Sequence, residues 1–384
     1  MILDNYRGTW EDEDTSELRK LTREFIANEI TPHQERFAQQ HRVDRDVWRK
    51  AGQAGLLCIS VPEEYGGGGG DFRHEAVVLH EQGLAFDDAW GYSVHSSICA
   101  HYILEYGTEE QKKAWLPKLA SGEYVAAIAM TEPGTGSDLQ SIRTKAVRDG
   151  DEWVINGSKT FITNGYNADL VIVAARTSPE KKSKGITLFA VETGMEGFER
   201  GRKLDKVGQH ESDTAELFFE NVRVPSTNII GEIDRGFIHM MEMLPQERVG
   251  AAVSNIAHAA PILEETLQYA KDRKAFGQPI GSLQWNKFLL ADLVTRIEVT
   301  QAYVDNCVAA HAAGELTAID AAKAKWWTAQ VQNEVLDHCV QLHGGYGFMT
   351  EYRAARAWMD ARVTKIWAGS NEIMKELIGR DLGL

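Results

Sequence analysis

The chain lacks a long hydrophobic run and shows no targeting segment at its start. Among its 384 residues there is no stretch of about 18 uninterrupted apolar residues, so no membrane span is predicted. The start, MILDNYRGTWEDEDTSELRK, has no basic segment followed by an apolar run and contains little Arg or Ser. It therefore resembles neither a signal peptide nor a transit peptide. These absences predict a soluble protein in the cytoplasm.

Cysteine and positive charge are also scarce. The four cysteines lie far apart without a CxxC pair, which favours reduced, packed thiols over disulfides or a zinc site, and no metal site is predicted. The formal net charge is −15. Nucleic-acid binding depends on neutralising phosphates with Lys and Arg, so no nucleic-acid partner is predicted. A local basic pocket for a small anion remains compatible with this charge.

Hydrophobic periodicity predicts a helical N-terminal domain over residues 1–123. Leu18, Leu21 and Phe25 recur at helical spacing, and comparable stretches follow them. The period changes over residues 124–235, where β-branched and aromatic runs predict an antiparallel sheet domain. Within it, Asn156-Gly157 is typical of a type I′ hairpin turn.

Helical spacing returns over residues 236–384. Long amphipathic segments joined by short glycine-containing turns predict a four-helix bundle there. The order of helices, sheet and bundle defines an α+β fold class. No G-x-G-x-x-G motif follows a strand, so a Rossmann cofactor site is not predicted.

Two segments of the sheet domain have residues suited to a flat heterocycle. Met130-Thr-Glu-Pro-Gly-Thr-Gly-Ser-Asp138 is a tight loop whose N–H groups and hydroxyls can face a ring or an anion. In Phe161-Ile-Thr-Asn-Gly165 an aromatic and a hydroxyl share one face of a strand, so the aromatic can stack on a ring while Thr163 donates to it. A plain turn and a hairpin strand with one core Phe are the alternatives.

Three further segments lie in the last zone. Arg273-Lys-Ala-Phe-Gly277 ends a predicted helix, where Gly277 would form a left-handed cap and the cations would suit the helix C-terminus. The glycines of Gln341-Leu-His-Gly-Gly-Tyr-Gly347 permit close approach of a ligand or another backbone. In Trp367-Ala-Gly-Ser-Asn-Glu372, Ser370 or Asn371 is a suitable helix N-cap.

Taken together, these segments closely resemble the acyl-CoA dehydrogenase family. VPEEYGGGG near the start and NEIMKELIGR near the end fit the same pattern, so the resemblance covers essentially the whole chain. It implies FAD as cofactor and an acyl-CoA thioester as substrate. It also implies an electron-transfer flavoprotein as electron acceptor and a homotetramer built as a dimer of dimers.

The resemblance implies a role for each matching residue. Flavin contacts from the same subunit are implied at Ile128, Met130, Thr131, Ser137, Phe161 and Thr163, with Ser137 shared by the pantetheine arm of the substrate. The family usually has Trp where this chain has Phe161. Contacts from a neighbouring subunit to the diphosphate and adenosine are implied at Arg273, Phe276, Gln284, Gln341, Gly344 and Gly345. The last FAD contacts are implied at Ser370, Asn371 and Glu372.

The catalytic base departs from the common family pattern. That pattern has a Glu directly before the residue that is Gly369 here, and this chain has Ala368 instead. A branch that includes isovaleryl and long-chain enzymes carries the base early in the last domain, where this chain has Leu-Pro-Gln-Glu247-Arg248. The resemblance therefore assigns the base to Glu247, and substrate contacts to Arg248, Ala368 and Gly369. Without the resemblance, the sequence would predict that Glu247 is a solvated helix residue paired with a neighbouring cation.

The sequence thus predicts FAD-dependent α,β-dehydrogenation of an acyl-CoA to the trans-2-enoyl-CoA. A buried Glu247 beside an apolar acyl chain is expected to have a raised pKa. The backbone N–H of Ala368 and a ribityl hydroxyl of FAD are implied as donors to the thioester carbonyl. The alternatives are a same-fold oxygen-using flavoenzyme, such as an acyl-CoA oxidase or monooxygenase, and an inactive flavin- or acyl-CoA-binding protein. Straight, branched, aromatic and sterol-derived acyl groups all fit the sequence.

Overall fold

The computed structural model describes residues 7–87 and 89–384, so residues 1–6 of the predicted N-terminal domain lie outside it. The first zone is helical, as predicted. Its α-helices are α1 Glu13–Phe25, α2 Gln34–Gln40, α3 Arg45–Gln53, α4 Phe72–Ala85, α5 Ala100–Tyr106 and α6 Glu109–Ala120. Asp12, Asp71 and Thr108 cap α1, α4 and α6 through their side chains, satisfying backbone donors at the helix starts. A π-helical segment, Ser93–Cys99, leads into α5.

The middle zone forms a sheet of eight strands. They are β1 Ala126–Ala129, β2 Lys145–Asp149, β3 Glu152–Thr163, β4 Leu170–Arg176, β5 Ile186–Glu192, β6 Phe198–Lys203, β7 Thr214–Pro225 and β8 Ile229–Ile230. Their spatial order is β6-β7-β3-β2-β4-β5-β8, with β1 against β4. Most pairs are antiparallel, as predicted, but β1 and β2 both run parallel to β4. The sheet is therefore mixed.

The predicted hairpin turn at Asn156-Gly157 is wrong. β3 continues through both residues and pairs with β7 on either side, Ile155 opposite Val222 and Gly157 opposite Phe219. The register shift between these pairs marks a bulge, and the Asn156 side chain accepts a hydrogen bond from the Asn221 N–H at 2.9 Å. The long partner strand thus overrides the local turn preference.

The last zone is helical again and forms the predicted bundle. Its elements are α7 Gly236–Asp272, β9 Lys274–Ala275, β10 Gln278–Pro279, α8 Gln284–Ala312, α9 Ala318–His343, α10 Arg353–Ala361 and α11 Asn371–Asp381. Helix α9 packs against α7, α8 and α11, and α7 also packs against α8. Ser370 caps α11, as one of the two predicted candidates.

Gly277 does not cap a helix, which corrects the prediction. α7 already ends at Asp272, and Arg273 follows with extended backbone. Phe276 and Gly277, with φ of 53° and 79°, form the turn between β9 and β10. Phe276 lies at the tip of this small hairpin, where it is 94% exposed.

The buried core places the three zones around a common junction. One cluster joins the N-terminal helices to the bundle and includes Trp48, Ile256 and Val335. A second packs Tyr102 and other residues of the α5–α6 region against one face of the sheet. A third covers the opposite face of the sheet. None of the helices in the described ranges is long and apolar enough to cross a membrane.

Candidate active site

The three zones enclose a cavity of about 300 Å³ at their junction. It is called the main cavity below. Its walls come from α4, the π-helical segment, the ends of β1 and β3, α7, α9 and the stretch before α11. Seven residues predicted from the sequence line it together: Ile128, Met130, Thr131, Phe161, Thr163, Glu247 and Ala368. Residues up to 240 positions apart in the chain thus meet in one place, which is the expected result of converging domains.

Glu247 lies on α7 with its carboxyl in the wall of the main cavity. The Tyr102 hydroxyl donates to its Oε1 at 3.5 Å. Burial raises the pKa of Glu247 to about 7, and the neighbouring Arg248 charge and the Tyr102 hydrogen bond oppose that rise. With such a pKa, the carboxylate form is present near neutral pH and can accept a proton there. The alternative of a solvated Glu paired with a surface cation does not match this environment.

Arg248, the next residue along α7, is buried, with 6% of its surface exposed. Its Nε has no hydrogen-bond partner among the described residues, and burial lowers its pKa. Its Nη2 lies 3.9 Å from the position that a Cβ on Gly369 would occupy. A buried guanidinium with an unused donor is suited to an anionic or polar ligand group.

A strained turn at Ala368 and Gly369 faces Arg248. Both residues are left-handed, with φ of 51° and 87°. The φ of 87° favours glycine at position 369, and a Cβ there would also require Met374 Cε, at 2.6 Å, to shift. The Ala368 N–H has no hydrogen-bond partner within the described part of the chain. It is therefore a free donor beside the main cavity.

The opposite wall is built from Met130, Thr131, Phe161 and Thr163. A buried ion pair supports it, since Lys159 Nζ donates to the Met130 carbonyl and to Glu132 Oε1, each at 2.9 Å. The Phe161 ring is 68% exposed within the chain. Neither threonine hydroxyl has a hydrogen-bond partner among the described residues. Apolar surface with two free hydroxyls fits a flat, polar-edged ring such as a flavin.

A second cavity, of about 530 Å³, contains the predicted diphosphate-binding residues Arg273, Gly344 and Gly345. It shares no lining residue with the main cavity. Within the described ranges, the Arg273 side chain makes no hydrogen bond or ion pair. Gln284 and Gln341 are exposed near this region, each at the end of a helix. Within one chain, the predicted cofactor-binding residues therefore lie in two separate groups.

The remaining predicted residues line neither cavity. Ser137 is exposed in the loop after β1, and Glu372 is exposed in the first turn of α11. The Ser370 hydroxyl accepts from the Ile373 N–H at 3.4 Å, and the buried Asn371 leaves its Oδ1 without a partner among the described residues. Gly369 adjoins the main cavity through Ala368.

The sequence did not single out Tyr102, although it donates a hydrogen bond to Glu247, the predicted base. It lies 145 positions before Glu247, and no local motif marks it. Val94, Ser97 and Ile98 of the π-helical segment were missed for the same reason. No group of three or more His, Cys, Asp or Glu side chains placed to hold a metal ion is found in the described ranges.

Comparisons with known proteins cover nearly the whole chain. Family models described as the N-terminal, middle and C-terminal domains of acyl-CoA dehydrogenase match residues 12–123, 127–222 and 234–383. The mitochondrial long-chain specific acyl-CoA dehydrogenase of Sus scrofa is 48% identical over 95% of this chain and 85% of its own length. The mitochondrial isovaleryl-CoA dehydrogenase of Solanum tuberosum is 36% identical over 97% of this chain and 91% of its own.

Solved structures agree with these matches. An acyl-CoA dehydrogenase from Geobacillus kaustophilus has a TM-score of 0.96 at 43% identity, covering 98% of this chain and 100% of that one. A chain from a study of the electron-transferring flavoprotein of Acidaminococcus fermentans has a TM-score of 0.93 at 36% identity, covering 98% and 99%. A glutaryl-CoA dehydrogenase from Mycobacterium smegmatis in complex with FADH2 has a TM-score of 0.88 at 26% identity, covering 97% and 95%.

Proposed function

The chain belongs to the acyl-CoA dehydrogenase family, and we propose that Glu247 is the base of its reaction. The protein is an FAD-dependent oxidoreductase that converts an acyl-CoA thioester to its 2-enoyl derivative. The observation that carries the assignment is the position of Glu247 in the wall of the main cavity, with a pKa raised to about 7. Ala368 occupies the position of the base in other family members. Asp87 and Asp360 also line the cavity, but backbone N–H groups of the chain donate to both of these carboxylates.

FAD fits the main cavity through residues of this subunit. Thr131 and Thr163 have free hydroxyls for the polar edge of the ring, and Phe161, Met130 and Ile128 offer apolar surface. When bound, FAD supplies the acceptor for the hydride that leaves the β-carbon. Lys159 keeps the Met130 carbonyl in place, so the wall is fixed before the ligand arrives.

Glu247 removes the α-proton of the thioester. With a pKa of about 7 it is partly ionised at neutral pH, and it gains more from accepting a proton than an exposed Glu does. The Tyr102 hydroxyl orients the carboxyl by donating to Oε1. Glu247, on α7, would reach the α-carbon of the substrate from the side opposite to a carboxylate at position 368. The small side chain of Ala368 leaves room for the substrate and for Glu247.

The Ala368 N–H polarises the thioester carbonyl. Proton removal places negative charge on that oxygen, and a fixed donor stabilises this charge most effectively in a site that excludes water. Because the donor belongs to the backbone, an alanine supplies it as well as a glutamate. Arg248 lies beside this turn and Gly369 belongs to it. We place substrate contacts at both residues, and Ser137 would contact the pantetheine arm.

The diphosphate and adenosine of FAD are held by a neighbouring subunit in this proposal. Arg273, Gly344 and Gly345 line a separate cavity, and Arg273 has an unused guanidinium suited to phosphate oxygens. Phe276 projects beside it, with Gln284 and Gln341 nearby. Exposed Trp285, Phe288 and Phe348 offer apolar surface for subunit contacts, which supports a homotetramer. Ser370, Asn371 and Glu372 complete the FAD contacts.

An electron-transfer flavoprotein is the proposed electron acceptor, and this role is carried over from the family. We place the domain limits after residues 123 and 235. The last N-terminal helix ends at Ala120 before β1 begins at Ala126, and β8 ends at Ile230 before α7 begins at Gly236. A cytoplasmic location is proposed, and its support is the four buried, unpaired cysteines.

The proposed function is tested by anaerobic titration of the FAD-loaded protein with a panel of acyl-CoA thioesters. Bleaching of the flavin absorbance by at least one of them, with release of the enoyl-CoA, is the expected result. A protein that purifies colourless and takes up no added FAD would overturn it. Rapid peroxide formation in air would instead favour the oxygen-using alternative.

A further inference from the structure

A buried lysine lies directly behind the turn at Ala368 and Gly369. Lys325, on α9, has 0% of its surface exposed, and its Nζ donates to the Gly369 carbonyl oxygen at 2.6 Å. Within the described ranges this is its only hydrogen bond, and no carboxylate lies within ion-pair distance. Burying an ammonium without a carboxylate partner is unfavourable, because the charge loses its hydration. A side chain kept only for packing would not need this charge.

The turn that Lys325 holds is strained. Ala368 has a φ of 51°, a left-handed conformation that is strained for a residue other than glycine. Such a conformation persists only when its surroundings fix it. The Gly369 carbonyl lies at the end of the turn, where an ammonium at 2.6 Å fixes the peptide plane.

Two buried cations thus lie beside the same turn. Arg248 comes within 3.9 Å of the position of a Gly369 Cβ, and its charge adds to burial in lowering the pKa of Lys325 to about 8. Glu372 opposes this shift from the start of α11. Cations on one side of a turn favour negative charge developing on its other side.

We propose that Lys325 is a positioning residue: its ammonium fixes the Gly369 carbonyl and so holds the Ala368 N–H toward the thioester carbonyl. This inference rests on the proposed function, since that donor matters only if a thioester carbonyl lies there. Lys325 does not touch the substrate. Its effect passes through the turn, by keeping a donor aligned where negative charge develops.

The test compares Lys325→Met with the parent as FAD-loaded proteins. Met has a similar length but no donor or charge. Lys323→Met is the matched control, because Lys323 lies on the same helix with 47% of its side chain exposed. Two quantities are measured: the rate of anaerobic flavin reduction, and the carbonyl stretching frequency of bound 2-enoyl-CoA carrying ¹³C at the thioester carbon.

We expect Lys325→Met to retain FAD and acyl-CoA binding while its reduction rate falls about 10- to 10²-fold, the scale of a misaligned catalytic donor. The carbonyl stretch of the bound ligand should move toward its value in free solution. Lys325→Arg, which keeps the charge and a donor, should recover part of both losses. Lys323→Met should match the parent.

A parental rate and a parental stretching frequency in Lys325→Met, with an active parent, would overturn this inference and leave the proposed function intact. A parent that no acyl-CoA reduces would overturn the proposed function itself. If the methionine variant does not fold, Lys325→Gln takes its place, since its shorter amide is polar but neutral. The same two outcomes then decide the question.

Discussion

The Tyr102 hydroxyl lies 3.5 Å from Oε1 of Glu247 and joins α5 of the N-terminal domain to α7 of the bundle. The hydrogen bond lowers the pKa of Glu247, against the larger rise caused by burial. The acidity of Glu247 is therefore set by residues of both regions together. This relationship leads to the first prediction.

Tyr102→Phe should raise the pKa of Glu247 above about 7, because it removes a donor that favours the charged carboxylate. The base acts in its ionised form, so the rising limb of the rate of flavin reduction against pH should move to higher pH. We expect a shift of less than about one unit, with a loss of about 2- to 5-fold at pH 6.5 and near-parental rates at pH 9. Stopped-flow reduction across this range measures it.

Tyr106→Phe is the matched control for that shift. The Tyr106 hydroxyl donates to Glu242 at 2.8 Å, away from the base. Its loss should leave the pH profile unchanged. A profile for Tyr102→Phe that coincides with the parent's at every pH would show that the hydroxyl does not influence Glu247.

Glu247→Gln should make the protein more stable at alkaline pH. The pKa of Glu247 is about 7 in the folded state and about 4.5 when unfolded, so the folded state binds more protons between these values. Stability therefore falls as pH rises from about 4.5 to 7, and the loss amounts to ~1–3 kcal/mol. The Gln variant avoids this loss because it does not ionise.

Denaturant unfolding at pH 5 and pH 8, with saturating FAD, measures the effect. The advantage of Glu247→Gln over the parent should be larger at pH 8 than at pH 5. Glu242→Gln, on the same helix with an exposed side chain, should show no such gain. Equal free energies of unfolding for Glu247→Gln and the parent at pH 8 would mean that burial does not oppose ionisation here.

Arg273→Ala should weaken FAD retention far more than it weakens the fold. The side chain has no partner within the described ranges, and a diphosphate is its proposed ligand. Arg273→Lys should restore retention only in part, since a point charge lacks bidentate geometry. Equilibrium dialysis against FAD measures retention, and Lys271→Ala, an exposed cation of the same helix end, should bind FAD as the parent does. Unchanged FAD affinity in both Arg273 variants would show that Arg273 is a surface charge that does not bind FAD.

Glu247→Gln combined with Ala368→Glu should recover part of the activity lost in the single Gln variant. Ala368 lines the same cavity as Glu247, and in the proposed function it stands where other family members carry the base. Recovery will be incomplete, because a misplacement of about 1 Å can cost about 10²-fold. Flavin reduction by the double variant and by Glu247→Gln, each with a panel of acyl-CoAs, measures it. A double variant no faster than the single one would show that the left-handed turn does not direct a carboxylate to the α-carbon.

The sequence predicted the order of helical, sheet and bundle zones because hydrophobic period changes with secondary structure. It failed where a distant partner decides the local conformation. Asn156-Gly157 is a strong hairpin signal, yet pairing with β7 keeps the strand continuous. Gly277 likewise forms a hairpin turn that two short strands define, and not a helix cap.

The residues of the candidate active site also divide into those that a local sequence pattern marks and those that only the folded chain brings together. Glu247 and Thr131 belong to segments with a recognisable pattern, so the sequence identified them as candidates. Tyr102 and Lys325 donate hydrogen bonds to residues that lie 145 and 44 positions away in the sequence. Such contacts exist only after the domains pack together, and no local spacing encodes them.

The most direct test of the account is the rate at which the FAD-loaded Glu247→Gln variant is reduced anaerobically by the parent's best acyl-CoA substrate. Gln is nearly isosteric with Glu but does not accept the α-proton. FAD content and acyl-CoA binding should survive, while the rate of flavin reduction falls by about 10² or more, as for the loss of a general base. Glu242→Gln, the nearest competing carboxylate on α7, should remain near the parental rate. Reduction of Glu247→Gln at a near-parental rate would contradict the assignment of the base.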